Sequence, residues 1–107
     1  MKKFDVVLID DDSLIHAMWN YSAKENQKTI DSYYSADAFF AKASEIDRSS
    51  PIFIDSNLGN GVRGEAIAKE IKQMGFHEIY LATGHPIDHF EKMDWITAIV
   101  GKDPTWK

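Results

Sequence analysis

The chain has 107 residues, 12 Lys and Arg against 17 Asp and Glu, and a formal net charge of −5. With 44% hydrophobic residues it can bury roughly two-thirds of its unfolded surface around one core, which excludes a multi-domain enzyme and predicts a single domain over 1–107. The absence of cysteine excludes disulfide frameworks, thiolate zinc sites and cysteine nucleophiles, and the acidic balance argues against docking nucleic acid. No apolar run approaches the ~20 residues of a membrane span. Met1-Lys2-Lys3-Phe4-Asp5 meets an acid too early for a secretory signal, so a cytoplasmic location is expected. The Asn20-Tyr21-Ser22 sequon is then incidental.

Taken in order, Phe4 to Ile9 reads as a buried strand. Asp12 or Ser13 caps a following helix that places Ile15, Met18, Trp19 and Ser22 or Ala23 on one face. Thr29 to Tyr34 is a more polar strand, as an edge strand would be. Ser35 caps a second helix burying Phe39, Phe40 and Ala43, with Ile46 near its end. Ser49-Ser50-Pro51 is a turn, and Ile52-Phe53-Ile54 is a short apolar strand ending at Asp55. After a polar loop from Ser56 to Gly64, Glu65 to Met74 is a helix with Ile67, Ile71 and Met74 inward, closed by Gly75. Glu78 to Ala82 is the fourth strand, Pro86 starts a short fourth helix carrying Ile87 and Phe90, and Trp95 to Val100 is the fifth strand. Alternating strands and helices with right-handed crossovers give a parallel sheet covered on both faces.

In such sheets chemistry collects at the carboxyl ends of the strands. Here those ends carry Asp10-Asp11-Asp12, Asp55, Thr83 and, just past the fifth strand, Lys102. With strand order 2-1-3-4-5 the first and third strands are neighbours, and their carboxylates converge. Oxygen-only ligands that repel one another suit a hard divalent cation, Mg²⁺ or Mn²⁺ rather than zinc. A hydroxyl and an ammonium opposite them complete a pocket for a dianionic tetrahedral group, as phosphoryl chemistry needs.

Val7-Leu8-Ile9-Asp10-Asp11-Asp12-Ser13, Ile52-Phe53-Ile54-Asp55, Leu81-Ala82-Thr83-Gly84 and Lys102 with Pro104 together resemble the receiver domains of bacterial two-component response regulators. The resemblance spans nearly the whole chain and implies a flavodoxin-like, doubly wound five-stranded parallel sheet of order 2-1-3-4-5, with the fifth helix missing or truncated. It implies that Asp55 is the phosphoacceptor, taking a phosphoryl group from a sensor histidine kinase or a phosphotransfer protein in a Mg²⁺-dependent reaction. Such a domain catalyses only its own phosphorylation and dephosphorylation. By the same resemblance Asp11 is the direct metal ligand and Asp10 a second acid acting mainly through water. The backbone carbonyl of Asn57 is a further ligand, and Thr83 and Lys102 bind phosphoryl oxygens. Asn57 and His85 occupy the positions that modulate hydrolysis of the acyl phosphate, and Gly84 leaves access to it.

Two departures stand out. Ile99 replaces the late aromatic through which receivers usually signal, and Asp103 separates Lys102 from Pro104, where it could pair with Lys102 or reset the turn. Only Thr105-Trp106-Lys107 follow Pro104, so apolar surface around Trp19 and the fifth strand is expected to be open. A homodimer, a partner or the rest of a longer protein would cover it, the homodimer being the favoured expectation.

The residues also admit other readings. Asp10-Asp11-Asp12-Ser13 fits the start of haloacid-dehalogenase-like phosphatases, with Asp10 as nucleophile and Asp12 as acid/base, but that reading leaves Asp55 unexplained. A receiver-like interaction module that is never phosphorylated is a third reading, against which the full acid, Thr and Lys set argues. Asp12 alone reads as a helix cap. Gly59-Asn60-Gly61-Val62-Arg63-Gly64 matches a dinucleotide fingerprint, yet four residues separate it from its strand, so it reads as a loop needing positive φ. It is about one residue longer than the receiver loop and lacks its usual proline. His85 and His89 are spaced i, i+4 but lack a third metal ligand.

Overall fold

The structure is a computed structural model that describes residues 1–86, 90–104 and 106. Five parallel strands, β1 (Val6–Ile9), β2 (Ile30–Tyr33), β3 (Ile52–Asp55), β4 (Ile79–Ala82) and β5 (Ala98–Val100), form one sheet of order β2-β1-β3-β4-β5. Among the described residues three helices connect them: α1 (Ser13–Glu25), α2 (Ala36–Lys42), which runs into a 3₁₀ turn at Ala43–Glu45, and α3 (Gly64–Gln73). This is the expected doubly wound fold and strand order.

The strands are nearly continuous apolar runs because each face of the sheet is covered. Val7, Ile9, Ile52, Ile54, Ile79 and Leu81 point to the α2 and α3 side, where they meet Phe39, Ala68, Ile71 and Phe76. Val6, Leu8 and Phe53 point to the other side and pack on Trp19 of α1. Registers Val7↔Ile52 and Ile52↔Ile79 keep like-facing residues in rows across the sheet. β2 is an edge strand and is half-buried throughout, which is why its sequence is polar.

Several expected boundaries shift for identifiable reasons. β1 starts at Val6 because the Phe4 and Asp5 amides bond to the Ser50 and Thr29 hydroxyls instead of a neighbouring strand. Ile46 is buried but lies beyond the 3₁₀ turn, outside the helix. In α1 the buried set is His16, Trp19 and Ala23, with Ile15 and Met18 only partly covered. The fourth helix expected from Pro86 falls partly on 87–89, outside the described residues, and 90–97 contain a turn but no helix. β5 is three residues rather than six. Trp95 turns away from the sheet to donate its indole N–H to the Glu65 carbonyl at 2.8 Å, and the Ile96 amide bonds back to Met93.

The flank around Trp19 is not open, which corrects the sequence expectation. Trp19 is fully buried, and Trp106 lies edge-on to it with ring centroids 5.7 Å apart, donating its own indole N–H to Ser22 Oγ at 3.0 Å. One large aromatic after the buried Pro104 covers what three residues were too few to cover as a helix.

Candidate functional site

β1 and β3 end side by side, which brings their terminal acids together. Asp10 is fully buried: Oδ1 accepts the Asp12 backbone N–H at 2.9 Å and Oδ2 accepts from Lys102 Nζ at 2.8 Å. The same ammonium reaches Asp55 Oδ1 at 2.8 Å, so Lys102 bridges the ends of β1 and β3 from the loop after β5. It does not turn to Asp103, which stays exposed. Asp11 is exposed at the rim, and one oxygen each from Asp10, Asp11 and Asp55 lie within 4.8 Å of one another. Asp12 stands outside this group because its carboxylate accepts the Leu14 N–H at 2.8 Å and caps α1.

Burial pushes the Asp55 carboxyl above its ordinary value and the Asp10 charge adds to that, against the opposing pull of the Lys102 ammonium and the Asn57 N–H. Burial would lower Lys102, but its hydrogen bonds to Asp10 and Asp55, with their charges, outweigh it and hold the ammonium charged. Three carboxylates facing one ammonium leave excess negative charge. Three carboxylate oxygens gathered within 4.8 Å of one another are donors that a divalent cation can draw together. The donor chemistry and spacing therefore fit a hard divalent cation.

Thr83 follows β4 and is 3% exposed. Its Oγ1 accepts from Ser56 Oγ at 3.0 Å and from the His85 backbone N–H at 3.1 Å. With both acceptor positions used, its own proton is left to donate. Its backbone N–H bonds to Val100, which ties the end of β4 to β5. Asn57 lies in the loop after β3 and forms an antiparallel bridge with Arg63. The ladder bonds there belong to Leu58–Val62 and Gly64–Ser56, so the N–H and C=O of Asn57 face away from Arg63. Asn57 Oδ1 accepts the Gly59 N–H at 3.0 Å.

Two glycines let this loop close on the acids. A Cβ on Gly59 would come 3.2 Å from Asp11 Oδ2, with φ at +82°, and a Cβ on Gly64 would sit 1.7 Å from the Asp55 carbonyl oxygen. Gly59, Asn60 and Gly61 all have positive φ, as expected of a loop that mimics a dinucleotide motif without being one. His85 is exposed, its ring edge-on to Phe90, and His89 lies outside the described residues. Ser56, Asn57 and His85 line a cavity of about 400 Å³ together with Arg63, Glu65 and Phe90. A larger cleft of about 840 Å³ runs beside Phe4, Asp31 and Tyr33, and none of the candidate site residues lines it.

Sequence reasoning missed three supports of the site. Ser56, the first residue of the loop after β3, is buried and donates to Thr83 Oγ1. His16 is buried, with Nε2 2.6 Å from the Asp10 carbonyl and its ring stacked on Tyr34 at 3.8 Å. Trp19, expected only on the apolar face of α1 with its flank open, donates its indole N–H to the Lys102 carbonyl at 2.7 Å.

No protein-family model matches the chain, and no curated protein matches it either. Solved structures do. The response regulator TrrA from Thermotoga maritima in complex with Mg²⁺ and BeF aligns over 100% of this chain and 91% of its own, with a TM-score of 0.78 and 19% identity. The BeF₃-activated conformation of SdrG from Pseudomonas melonis aligns over 98% and 89%, at 0.77 and 19%. The N-terminal domain of a response regulator/sensory box/GGDEF protein from Carboxydothermus hydrogenoformans aligns over 97% and 84%, at 0.75 and 21%. The fold is that of a receiver domain. In this receiver fold the carboxyl ends of β1, β3 and β4 and the loop after β5 form one continuous rim, and the acids, Thr83 and Lys102 all stand on it. Among the described residues no helix is long and apolar enough to cross a membrane.

Proposed function

We propose that the chain is a response-regulator receiver that accepts a phosphoryl group on Asp55 from the phosphohistidine of a sensor kinase or phosphotransfer protein. The observation that carries this reading is the Lys102 ammonium held 2.8 Å from both Asp10 and Asp55, with Asp11 alongside. In the transfer an Asp55 oxygen attacks phosphorus in line. The P–N bond of the phosphohistidine breaks, and the imidazole nitrogen takes its electron pair. Asp10, Asp11, Asp55 and the Asn57 carbonyl would hold Mg²⁺, or Mn²⁺, which supplies charge neutralisation at the phosphoryl oxygens. Lys102 spends two of its three N–H donors on Asp10 and Asp55 and offers the third to a phosphoryl oxygen. Thr83 donates its remaining proton to another.

Asn57 and His85 border the cavity beside the site, and their side chains set how readily water reaches the acyl phosphate. The output travels through protein contacts, with Ile99 half-buried against the α3-side core in place of an aromatic switch. A cytoplasmic location goes with a kinase partner. The homodimer expected from an open flank loses its ground because Trp19 is covered. The dehalogenase-like reading needs Asp12 as acid/base, whereas Asp12 is spent on capping α1.

With Mg²⁺ and acetyl phosphate, intact-mass measurement should find one phosphoryl group on the wild type and none on Asp55→Asn. An equal increment on Asp55→Asn, or none on the wild type, would overturn the assignment. Turnover of many equivalents of a phosphate ester would favour the phosphatase, and inertness the interaction module. Asp11→Ala should weaken Mg²⁺ binding at least about tenfold and Asp12→Ala less than about twofold, read by metal titration.

A further inference from the structure

The acids of the site end hydrogen-bonded strands, but Lys102 does not. It lies two residues past β5, a three-residue edge strand, and follows Gly101, whose surroundings are open space. A lysine on a long flexible stem finds two carboxylates at once only if its backbone is held at one place. That backbone is tied by the Trp19 indole N–H, which donates to the Lys102 carbonyl at 2.7 Å.

Trp19 is itself immobilised. Its ring is fully buried, 5.3 Å from Phe53 and 5.7 Å from Trp106, and packs with Val6 and Leu8. Leu8 and Phe53 each stand two residues before an acid of the site, Asp10 and Asp55 respectively. One side chain therefore touches both acid-bearing strands and also holds the loop that carries the ammonium. Packing alone would need only an apolar ring; the N–H aimed at a loop carbonyl is what an aliphatic or phenyl side chain could not supply.

We propose that Trp19 is a positioning residue for Lys102: its indole N–H sets the height of the Lys102 backbone so that the ammonium spans Asp10 and Asp55. The role deepens the phosphoacceptor reading and rests on it for its functional consequence, while its geometric content stands apart.

The test uses Trp19→Phe, which keeps a buried ring and removes the donor. The amines are acetylated with an N-hydroxysuccinimide ester under native conditions and mapped by peptide. Lys102 should be labelled about fivefold faster, relative to exposed Lys42, than in the wild type. Phosphorylation by acetyl phosphate should slow by about the same factor. Mg²⁺ affinity should not fall, because Trp19 touches none of the carboxylates and a loosened Lys102 ammonium repels the cation less. A purely structural role would instead weaken Mg²⁺ binding in parallel with the faster labelling of Lys102. Trp106→Phe, which removes the bond to Ser22 but not the one to Lys102, should leave Lys102 labelling unchanged. Unchanged Lys102 labelling in Trp19→Phe overturns the proposal. A wild type that takes no phosphoryl group overturns the phosphoacceptor reading instead, and the labelling comparison still decides the role of Trp19. If Trp19→Phe does not fold, hydrogen exchange of the wild-type indoles decides. The Trp19 N–H should be the slowest of the three, and exchange as fast as that of Trp106 overturns the proposal.

Discussion

The residues up to Asp55 and those after it build their shares of the site in different ways. In the first half, Asp55 ends β3 and Asp10 directly follows β1. Both strands are paired on both sides, and the Asp10 amide still bonds to Tyr33 of β2, so the backbone ladder fixes both acids. In the second half, Thr83 follows β4, which like β1 and β3 is four residues long and paired on both sides. Lys102, however, lies beyond the three-residue edge strand β5, and side-chain hydrogen bonds do more of the fixing. Trp95 donates to the Glu65 carbonyl, Thr97 Oγ1 accepts the Ile79 amide, Ser56 donates to Thr83, and Trp19 donates to the Lys102 carbonyl. The acids are thus placed by the sheet's own ladder, while the Lys102 ammonium depends on a few polar contacts that single substitutions can remove.

The joint between the halves should break most severely. Gly64 starts α3 directly against the Asp55 carbonyl, and a Cβ there would lie 1.7 Å from that oxygen. Gly64→Ala is expected to cost at least about 3 kcal/mol in denaturant unfolding, since backbone on both sides must move. Gly61 lies in the same loop with open space around it and φ of +77°, so Gly61→Ala should cost only about 1 kcal/mol. Equal costs would mean that backbone strain, not the close approach, decides.

Trp95→Phe should sharpen the contrast. It leaves the Glu65 carbonyl without its indole donor and weakens the contact with Lys69, whose Nζ lies 5.1 Å from the ring centroid. The expected loss is about 1–2 kcal/mol. Hydrogen exchange should accelerate at the Thr97 and Thr83 amides, which bond to Ile79 and Val100, and stay unchanged at Val7, which bonds to Pro51. Acceleration at Val7 as well would show that the halves open as one unit.

The same contrast explains what could be read from the sequence. Runs such as Val6–Ile9 and Ile52–Asp55 announce buried parallel strands by composition, and their ends announce the acids; the role of Asp12 as a cap follows from local chemistry, whereas the strand order comes from the resemblance to receiver domains. Legibility fails where a polar or aromatic side chain replaces a regular element. The stretch from Trp95 looked like a strand because its residues are apolar, but an indole anchored to Glu65 makes Trp95 part of a turn. Three residues after Pro104 are too few for a helix over the α1 face, and no periodicity signals that Trp106 packs edge-on against Trp19. His16 was invisible for the related reason that a histidine within a helical stripe gives no sign of bonding a carbonyl six residues earlier.

The smallest effect belongs to the first half, where Asp5 joins the start of β1 to the start of β2. Its carboxylate accepts the Thr29 N–H at 2.8 Å, and that bond, with smaller help from Lys28 and Lys3 and against a slight cost of burial, holds its pKa below the ordinary value. A lowered folded pKa means that the unfolded chain binds the proton more readily. The stability Asp5 adds is therefore full above the unfolded value of about 3.9 and is lost as pH falls through the folded value. The group is nearly fully exposed, so screening keeps the gain well under about 1 kcal/mol. Asp5→Asn should lower the unfolding midpoint slightly at pH 7, and the gap to the wild type should close as pH falls below about 4. A gap that persists into acid would mean that Asn fits the turn poorly for reasons of shape. A gap that closes would show that even where strands fix the acids of the site, the register between β1 and β2 is trimmed by one charge on one amide.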